Sequence, residues 1–243
     1  MACGEYGQGK MTEPIEIVSS IELYFSNLKK NNNFKALVTA GPTHEYIDPV
    51  RYISNRSSGK QGHEIAKSLK KNGFETTLIS GPTNLEPIPG INQINVNSTE
   101  EMFNAVLDNL PTDVAIFSAA VSDFKIKNKE KYKMKKKENM DLNLEKNIDI
   151  LNHISKHNSL RPKIVIGFAA ETNNLNEYAK KKLSEKNCDW IIANDVSNPE
   201  IGFGSDFNEV SIFYKDKKYE KLPKMKKSLL AENIVNKIIS HLN

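Results

Sequence analysis

The 243-residue sequence predicts an α/β fold in which helices cover both faces of a mainly parallel, doubly wound sheet. Short apolar segments typical of fully buried strands alternate along the chain with amphipathic segments of helical spacing. Turn signals such as Asn72–Gly73 and Gly81–Pro82 separate these segments. A chain of this length can bury a sizeable core without disulfides or a structural metal.

Six apolar segments are predicted strands, and their alternation with helices indicates parallel pairing. The strands are Lys35–Ala40, Thr76–Ser80, Gln93–Val96, Asp113–Ala119, Lys163–Ala169 and Trp190–Asn194. The helices are Ser57–Lys71, a helix that Ser98 and Glu101 cap, a helix that begins around Asn173–Asn174, and a last helix from Ser228. Glu209–Tyr214 and Lys218–Leu222 are predicted to form a C-terminal hairpin. This arrangement is Rossmann-like, and such sheets bind ligands at the carboxyl ends of their strands.

Residues 1–33 are expected to stand apart from the main domain, residues 34–243. The first ten residues contain three glycines and are typical of a flexible lead-in. A helix is predicted from Thr12, and three asparagines at residues 31–33 form a linker. The absence of a signal-peptide pattern favours a cytoplasmic location.

Composition excludes several classes of protein. The longest apolar run, residues 164–170, has seven residues, which is too few for a membrane span. Cys3 and Cys188 are too few for a disulfide scaffold or a four-cysteine zinc site. With 34 basic and 30 acidic residues, the whole-chain charge does not predict nucleic-acid binding, so any basic function must be local.

Polar and small residues follow the first predicted strand, where a ligand is expected. Small residues at a helix N-terminus let backbone amides approach an anion, although an ordinary αβ turn explains them as well. Lys60 is followed by Gln61, so the phosphate-loop pattern is not met, and the dinucleotide pattern GxGxxG is absent. The candidates for substrate contact are Arg51, Asn55, Ser57, Ser58 and Gly59.

A lysine-rich segment, residues 125–137, has eight lysines in thirteen residues. It is either a solvated loop or a mobile lid that becomes ordered over a polyanion. Because it follows the fourth strand and Asp123 directly, a magnesium-bound triphosphate would suit it, with the carboxylate orienting the metal. Its alternative role is RNA docking without chemistry.

Two helical pairs have ambiguous roles. Lys182 and Lys186 lie four residues apart, which indicates either a shared anionic partner or plain solubility. His153 and His157 have a spacing that could bind zinc, but no third ligand is apparent and an exposed polar face explains them.

Taken together, these segments resemble the phosphopantothenoylcysteine synthetase family, the ligases of coenzyme A biosynthesis. The matching segments are 38–43 (VTAGPT), 48–62 (DPVRYISNRSSGKQG), 119–124 (AAVSDF), 133–136 (KMKK), 146–150 (KNIDI), 167–174 (GFAAETNN) and 193–196 (ANDV). They occur in the family's order from about residue 34 to the end of the chain.

The lead-in resembles the end of the flavin-dependent decarboxylase half of the bifunctional bacterial protein. The resemblance rests on residues 2–5 (ACGE) and 9–14 (GKMTEP). In that half a cysteine of this motif is the proton donor, and without the preceding flavin domain Cys3 is expected to have no site in which to act. The resemblance also implies that FMN belongs only to that missing half and that the parent chain is also a decarboxylase.

The resemblance implies a ligase that forms an amide bond in two steps. The carboxylate of 4′-phosphopantothenate attacks the α-phosphate of CTP, which gives an acyl-cytidylate and pyrophosphate, and the cysteine amine then displaces CMP. By resemblance, Asn55 processes the acyl-cytidylate, Arg51 positions the substrate or the intermediate, and Lys133 closes over the triphosphate. Mg²⁺ accompanies the nucleotide, and a homodimer is expected.

The resemblance also implies a set of residues that contact the nucleotide. They are Phe117, Ser118, Ala119, Asp123, Lys133, Ile148, Asp149, Ile150, Leu151, Phe168, Lys182 and Lys186. Ile148 stands where the family usually has proline, so the loop that reads the base lacks a fixed φ.

Overall fold

The computed structural model describes residues 14, 17–18, 34–135, 141–197, 201–202 and 204–243. The predicted lead-in and linker, with the helix expected from Thr12 and with Cys3, lie outside the described residues except for Pro14, Ile17 and Val18. The boundary at residue 34 and the flavin-bearing half therefore stay predictions.

The elements of the described residues are numbered in chain order. The strands are β1 (Lys35–Ala40), β2 (His44–Tyr46), β3 (Tyr52–Ser54), β4 (Glu75–Ser80), β5 (Asn92–Asn95), β6 (Val114–Phe117), β7 (Phe124–Ile126), β8 (Leu144–Lys146), β9 (Ile164–Glu171), β10 (Trp190–Asp195), β11 (Phe207–Tyr214) and β12 (Tyr219–Lys226). The helices are α1 (Lys60–Lys71), α2 (Thr99–Asp108), α3 (Ile150–Ser155), α4 (Leu175–Lys186) and α5 (Lys227–Leu242).

Eight strands form the central sheet in the order β12-β11-β10-β9-β6-β1-β4-β5. Six neighbouring strands of this sheet, β10, β9, β6, β1, β4 and β5, are parallel. Strands β11 and β12 extend the sheet beyond β10 as an antiparallel hairpin. The chain runs from β1 to β4 and β5 on one side and then returns to β6 on the other side of β1. The predicted doubly wound sheet, its six strands and its C-terminal hairpin are confirmed.

The core lies in two layers, one on each face of the sheet. One apolar cluster packs α1 and α5 against the sheet, and the other packs α2, α3 and α4 against the opposite face. Cys188 belongs to the second cluster, and burial raises the pKa of its thiol to about 12. Cys188 is therefore a small buried residue rather than a nucleophile. Within the described residues, no helix is long and apolar enough to cross a membrane.

Helix α1 begins at Lys60, three residues later than predicted. Gly59 has a φ of 72°, a left-handed conformation that precedes the first helical turn. A Cβ on Gly62 would lie 2.6 Å from the Cβ of Ala40, so only glycine permits this close contact with β1. The start of α1 is thereby held beside the carboxyl end of the central strand.

A buried carboxylate strengthens the predicted cap of α2. Ser98 Oγ accepts a hydrogen bond from the Glu101 N–H at 3.2 Å, as the capping spacing predicts. The Glu101 carboxylate reaches the N–H of Asn97 at 2.8 Å instead of that of Ser98. Buried Glu45 accepts hydrogen bonds from the N–H and hydroxyl of Thr99 at 3.1 and 2.7 Å. The segment after β1 is thus fixed to α2.

The sequence does not predict two small hairpins, β2–β3 and β7–β8, which pack against each other. Each of their strands has only three residues, too few for an alternation of apolar and polar residues to be recognised. The β7–β8 hairpin brackets the lysine-rich segment. The start of that segment, Lys125 and Ile126 in β7, is therefore tied to the body of the domain.

We expect Leu69→Ala to lower the free energy of unfolding by about 2–5 kcal/mol, because Leu69 is fully buried between α1 and the sheet. Urea unfolding measures the change. Leu229→Ala on α5 is the matched control, since Leu229 is 49% exposed and should change the value by no more than about 0.5 kcal/mol. Equal effects of the two substitutions would contradict this assignment of the core.

Candidate active site

Two adjoining cavities lie at the carboxyl edge of the sheet, where the connections after β1 and β6 diverge. The α1 cavity, of about 540 Å³, lies at the start of α1, and the α3 cavity, of about 710 Å³, lies at the start of α3. The residues that line both cavities are Ala119, Val121, Asp123, Phe168 and Lys182. One ligand can therefore extend from one cavity into the other.

The predicted substrate residues after β3 line the α1 cavity. Asn55 Nδ2 donates a hydrogen bond to the Val121 carbonyl at 2.8 Å, which fixes the plane of the amide. Ser57 Oγ accepts a hydrogen bond from the Gly59 N–H at 3.3 Å. Ser58 and Gly59 also line this cavity, as do the first residues of α1. Amide, hydroxyl and helix N-terminus together suit an anionic ligand.

Most of the predicted nucleotide residues line the α3 cavity. Asp149 caps α3 by accepting a hydrogen bond from the Asn152 N–H at 2.9 Å, and it also forms an ion pair with Lys186. Lys182, one turn earlier on α4, extends to both cavities. The members of the predicted set that line the α3 cavity are Phe117, Ala119, Asp123, Ile148, Asp149, Ile150, Leu151, Phe168, Lys182 and Lys186. Ser118 lines the α1 cavity.

The location of the α4 lysines bears on the two roles that the sequence leaves open. Lys182 lines the α3 cavity, and Lys186 forms an ion pair with Asp149 in the wall of that cavity. Neither lysine therefore serves only to make the protein surface soluble. Leu151 packs closely over β9, where a Cβ on Gly167 would lie 2.5 Å from Leu151 Cδ2. The α3 cavity therefore combines an apolar wall with cations at its rim.

Arg51 does not line either cavity but connects Asp48 to the lysine-rich segment. Its Nε donates to Asp48 Oδ2 at 2.9 Å, its Nη2 also contacts Asp48, and Nη2 donates to the Met134 carbonyl at 3.1 Å. The Met134 N–H in turn donates to Asp48 Oδ2 at 3.1 Å. The Arg51 guanidinium holds the pKa of the Asp48 carboxyl well below its usual range, and backbone N–H groups assist.

The lysine-rich segment is anchored by its backbone, while its lysines at positions 127, 129, 131, 133 and 135 are exposed. The Glu130 N–H donates to the Ile47 carbonyl at 2.9 Å, and the Lys127 N–H donates to the Asn143 carbonyl at 3.0 Å. Lys133 is exposed and lies outside the residues that line the two cavities, next to the anchored Met134. Lys136 and Lys137 lie outside the described residues. Movement of the segment as a lid stays a prediction.

Asp123 is exposed and lines both cavities, while its backbone carbonyl accepts a hydrogen bond from the Asn147 N–H at 2.9 Å. In the part of the chain that the structure describes, no three His, Cys, Asp or Glu residues are grouped to hold a metal. His153 lies on α3 and His157 beyond its end, with ring centroids 6.3 Å apart. A single carboxylate fits Mg²⁺, which usually binds through one or two carboxylates and substrate phosphates.

Sequence reasoning missed a group of polar residues at the α1 cavity. Lys60, at the start of α1, forms an ion pair with Asp206 at 2.6 Å. Lys227, the first residue of α5, is buried and donates through Nζ to the Ser205 carbonyl at 2.5 Å. The missed polar residues are Arg56, Lys60, Gln61, Asn194, Asn208 and Lys227. Lys227 precedes the buried Leu230 by three residues, so the two residues lie on the same face of the helix. This spacing is the signal in the sequence that could have indicated a buried lysine.

Asp48→Asn should make the lysine-rich segment more sensitive to trypsin, because the substitution weakens the charged contact that holds Arg51 and Met134. We expect cleavage after Lys131 and Lys133 to accelerate several-fold, as mass spectrometry of timed digests would show. Asp216→Asn removes an exposed ion pair in the β11–β12 turn and is the control. If both variants were cleaved at the wild-type rate, the Asp48 contact would not restrain the segment.

Comparisons with known proteins agree with this architecture. Residues 32–242 match the family model described as the DNA/pantothenate metabolism flavoprotein C-terminal domain. The chain is 42% identical over 240 residues to the coenzyme A biosynthesis bifunctional protein CoaBC of Haemophilus influenzae, covering 98% of this chain and 59% of that protein. It is 39% identical over 244 residues to the Escherichia coli protein of the same name, covering 98% of this chain and 60% of that protein.

Among solved structures, the fold resembles the crystal structure of the C-terminal domain of a coenzyme A biosynthesis bifunctional protein CoaBC. The TM-score is 0.73 at 37% identity, covering 88% of this chain and 98% of that chain. The chain spans about three fifths of the length of the curated relatives it matches. On this evidence the chain belongs to the family of the DNA/pantothenate metabolism flavoprotein C-terminal domain.

Proposed function

We propose that the chain is a phosphopantothenate–cysteine ligase of coenzyme A biosynthesis that uses CTP. It would condense 4′-phosphopantothenate with cysteine through an acyl-cytidylate and release CMP and pyrophosphate. The observation that carries the proposal is the pair of joined cavities, which share Asp123 and Lys182 and give room for a nucleotide beside a second substrate. The names of the relatives support the pathway. The cytoplasm, where nucleoside triphosphates are available, is the proposed location.

In the first step, a carboxylate oxygen of phosphopantothenate attacks the α-phosphorus of CTP. The new C–O–P bond forms as the α–β phosphoanhydride bond breaks and pyrophosphate leaves. Carboxylate and triphosphate repel each other, so Lys182 and Lys186 at the cavities would neutralise the phosphate oxygens. Mg²⁺ arriving with the nucleotide supplies further neutralisation of charge, and Asp123 is the residue that would hold it.

In the second step, the amine of cysteine attacks the acyl carbon and CMP leaves. Negative charge then develops on the acyl oxygen, which a positioned N–H donor would stabilise. Asn55 Nδ2 carries two hydrogens, and the Val121 carbonyl accepts only one of them. The second hydrogen is a donor with a fixed direction, which supports the role of Asn55 in processing the acyl-cytidylate.

The base would be read by backbone groups of residues 117–119 and 148–151, with Phe168 beside them. Ile148 replaces the proline typical of related sequences, and its N–H donates to Asn147 Oδ1 at 2.9 Å. Proline could not make this hydrogen bond. This hydrogen bond restrains the loop at Ile148 in place of the fixed φ that proline would impose. The restraint supports the proposal that the chain retains selectivity for CTP.

Lys133 and Arg51 would act together through the lysine-rich segment. We propose that Lys133 neutralises the triphosphate when this segment closes, and that Arg51 positions the segment through Met134. Arg51 is then a positioning residue in this chain.

A homodimer is proposed on the basis of exposed apolar side chains. They are concentrated on and beside the β2–β3 and β7–β8 hairpins, which pack against each other next to the site. Such a concentration is typical of an interaction surface. The side chains are Val50 (57% exposed), Tyr52 (49%), Phe124 (50%), Tyr132 (76%) and Leu144 (46%).

The proposed function is tested by incubating the protein with phosphopantothenate, CTP, Mg²⁺ and cysteine and measuring pyrophosphate and product. For Asn55→Ala we expect pyrophosphate release without cysteine to persist while product formation falls by about 10²–10³-fold, because only the second step loses its donor. Asn236→Ala on the exposed side of α5 is the control. No pyrophosphate from the wild type with any nucleoside triphosphate would refute the ligase, and full turnover by Asn55→Ala would refute the role of Asn55.

Lys133→Gln should slow pyrophosphate release by about tenfold, because it removes a charge near the triphosphate while nearly keeping the side-chain length. Lys135→Gln is the matched control, since Lys135 is also exposed and lies two residues further along the same segment. Stopped-flow detection of pyrophosphate separates this step from amide formation. Equal rates for the two variants would show that Lys133 has no special position.

A further inference from the structure

The α1 cavity has an excess of positive charge. Within the described residues, four cationic side chains line it, and Asp123 is the one carboxylate among its lining residues. The four cations are Arg56, Lys60, Lys182 and Lys227. An imbalance of this size favours a ligand that carries several negative charges.

Lys227 is the most buried of these four cations, with 7% of its surface exposed. Its Nζ donates to the Ser205 carbonyl at 2.5 Å, and its backbone N–H donates to the Asp206 carbonyl at 2.9 Å. A neutral carbonyl satisfies one of the three ammonium hydrogens but does not balance the charge. Burial lowers the pKa of Lys227, and the charge of Lys60 lowers it further. An anion entering the cavity would provide the missing compensation.

Asp206, the carboxylate whose charge acts on Lys227, is already engaged. Asp206 forms its ion pair with Lys60 at 2.6 Å, and Lys60 also donates to the Gly204 carbonyl at 3.2 Å. The short segment of residues 204–206 thus holds both ammonium groups in place beside the first turn of α1. Their positions are set by the folded chain before any ligand arrives.

The α3 cavity suggests which ligand reaches these lysines. Its apolar wall of Phe117, Leu151 and Phe168 suits a nucleoside, and Lys182 lies where the two cavities join. Phosphates that extend from a nucleoside in the α3 cavity past Lys182 enter the α1 cavity. The outermost phosphates would then lie nearest to Lys227.

We propose that Lys227, with Lys60 beside it, binds the terminal phosphates of the nucleoside triphosphate and holds the departing pyrophosphate. The identity of the ligand rests on the proposed function, whereas the presence of a polyphosphate site rests on the cavity alone. Lys227 would thus be a binding residue of the first step that motif spacing does not reveal.

The test compares the affinities of Lys227→Met for CTP and for CMP by calorimetry at constant ionic strength. We expect CTP binding to weaken by about tenfold or more and CMP binding to change less than about twofold, because CMP lacks the terminal phosphates. Lys226→Met is the matched control, because Lys226 is the exposed neighbour of Lys227 and its substitution removes the same charge outside the cavity. Equal losses for CTP and CMP, or no loss for CTP, would overturn the proposal.

Two further measurements separate the remaining outcomes. If Lys227→Met weakens binding of 4′-phosphopantothenate and not that of CTP, the lysine serves the other substrate and the proposal is wrong. If Lys227→Met does not fold, the Lys60→Gln variant provides the test, because the Lys60 side chain is about one-third exposed. Lys60→Gln should weaken CTP binding by about threefold and leave CMP binding unchanged. Unchanged CTP binding by this variant would overturn the proposal.

Inorganic triphosphate is the probe that distinguishes this proposal from the proposed function. If the wild type binds no nucleotide, the CTP ligase is refuted. Binding of inorganic triphosphate by the wild type and its loss in Lys227→Met would still establish the polyphosphate site. Failure of both proteins to bind inorganic triphosphate, or equal binding by both, would remove the site itself.

Discussion

The site depends on the point where the sheet reverses its strand order. Because the chain leaves β1 and β6 toward opposite sides, a crevice opens at the carboxyl ends of these two strands. Hydrogen bonds hold the open edge together: Ser118 Oγ donates to the Thr39 carbonyl at 2.6 Å, and the Ala120 N–H donates to the Gly41 carbonyl at 2.8 Å. Gly62 brings α1 against the same edge. Cavity walls and helix terminus therefore share one rigid frame.

Electrostatic contacts around this edge divide the cations into two groups. Asp48, Asp149 and Asp206 hold Arg51, Lys186 and Lys60 respectively in defined positions. Lys182 and Lys227 line the cavities and have no carboxylate partner among the described residues. Carboxylates fix the positions of the first group, of which Lys60 and Lys186 also line the cavities. The second group adds positive charge that no ion pair of the described residues neutralises. A site for a polyanion needs both, because unanchored lysines would lose side-chain entropy on binding.

The sequence predicts those parts of the fold that local patterns determine. Strand β1 matches its prediction residue for residue, because a buried apolar run leaves no other choice. The late start of α1 depends on the left-handed Gly59, and the three-residue hairpins depend on tertiary contacts. In the site, residues that follow a strand or belong to an ordered motif were found. Lys227 was missed because it lines the same cavity as Lys60 although it follows Lys60 by 167 residues in the chain.

The outermost strand, β12, affects whether another chain can pair with this edge of the sheet. It lies at the end of the sheet, and its register with β11 shifts between Asn208 and Val210. Pro223 lies within the shifted region and has no N–H to offer another chain. Lys221, Lys224 and Lys226 place repelling charges along the same strand. Growth of the sheet into a fibre or a continuous intermolecular sheet is thus discouraged on this side.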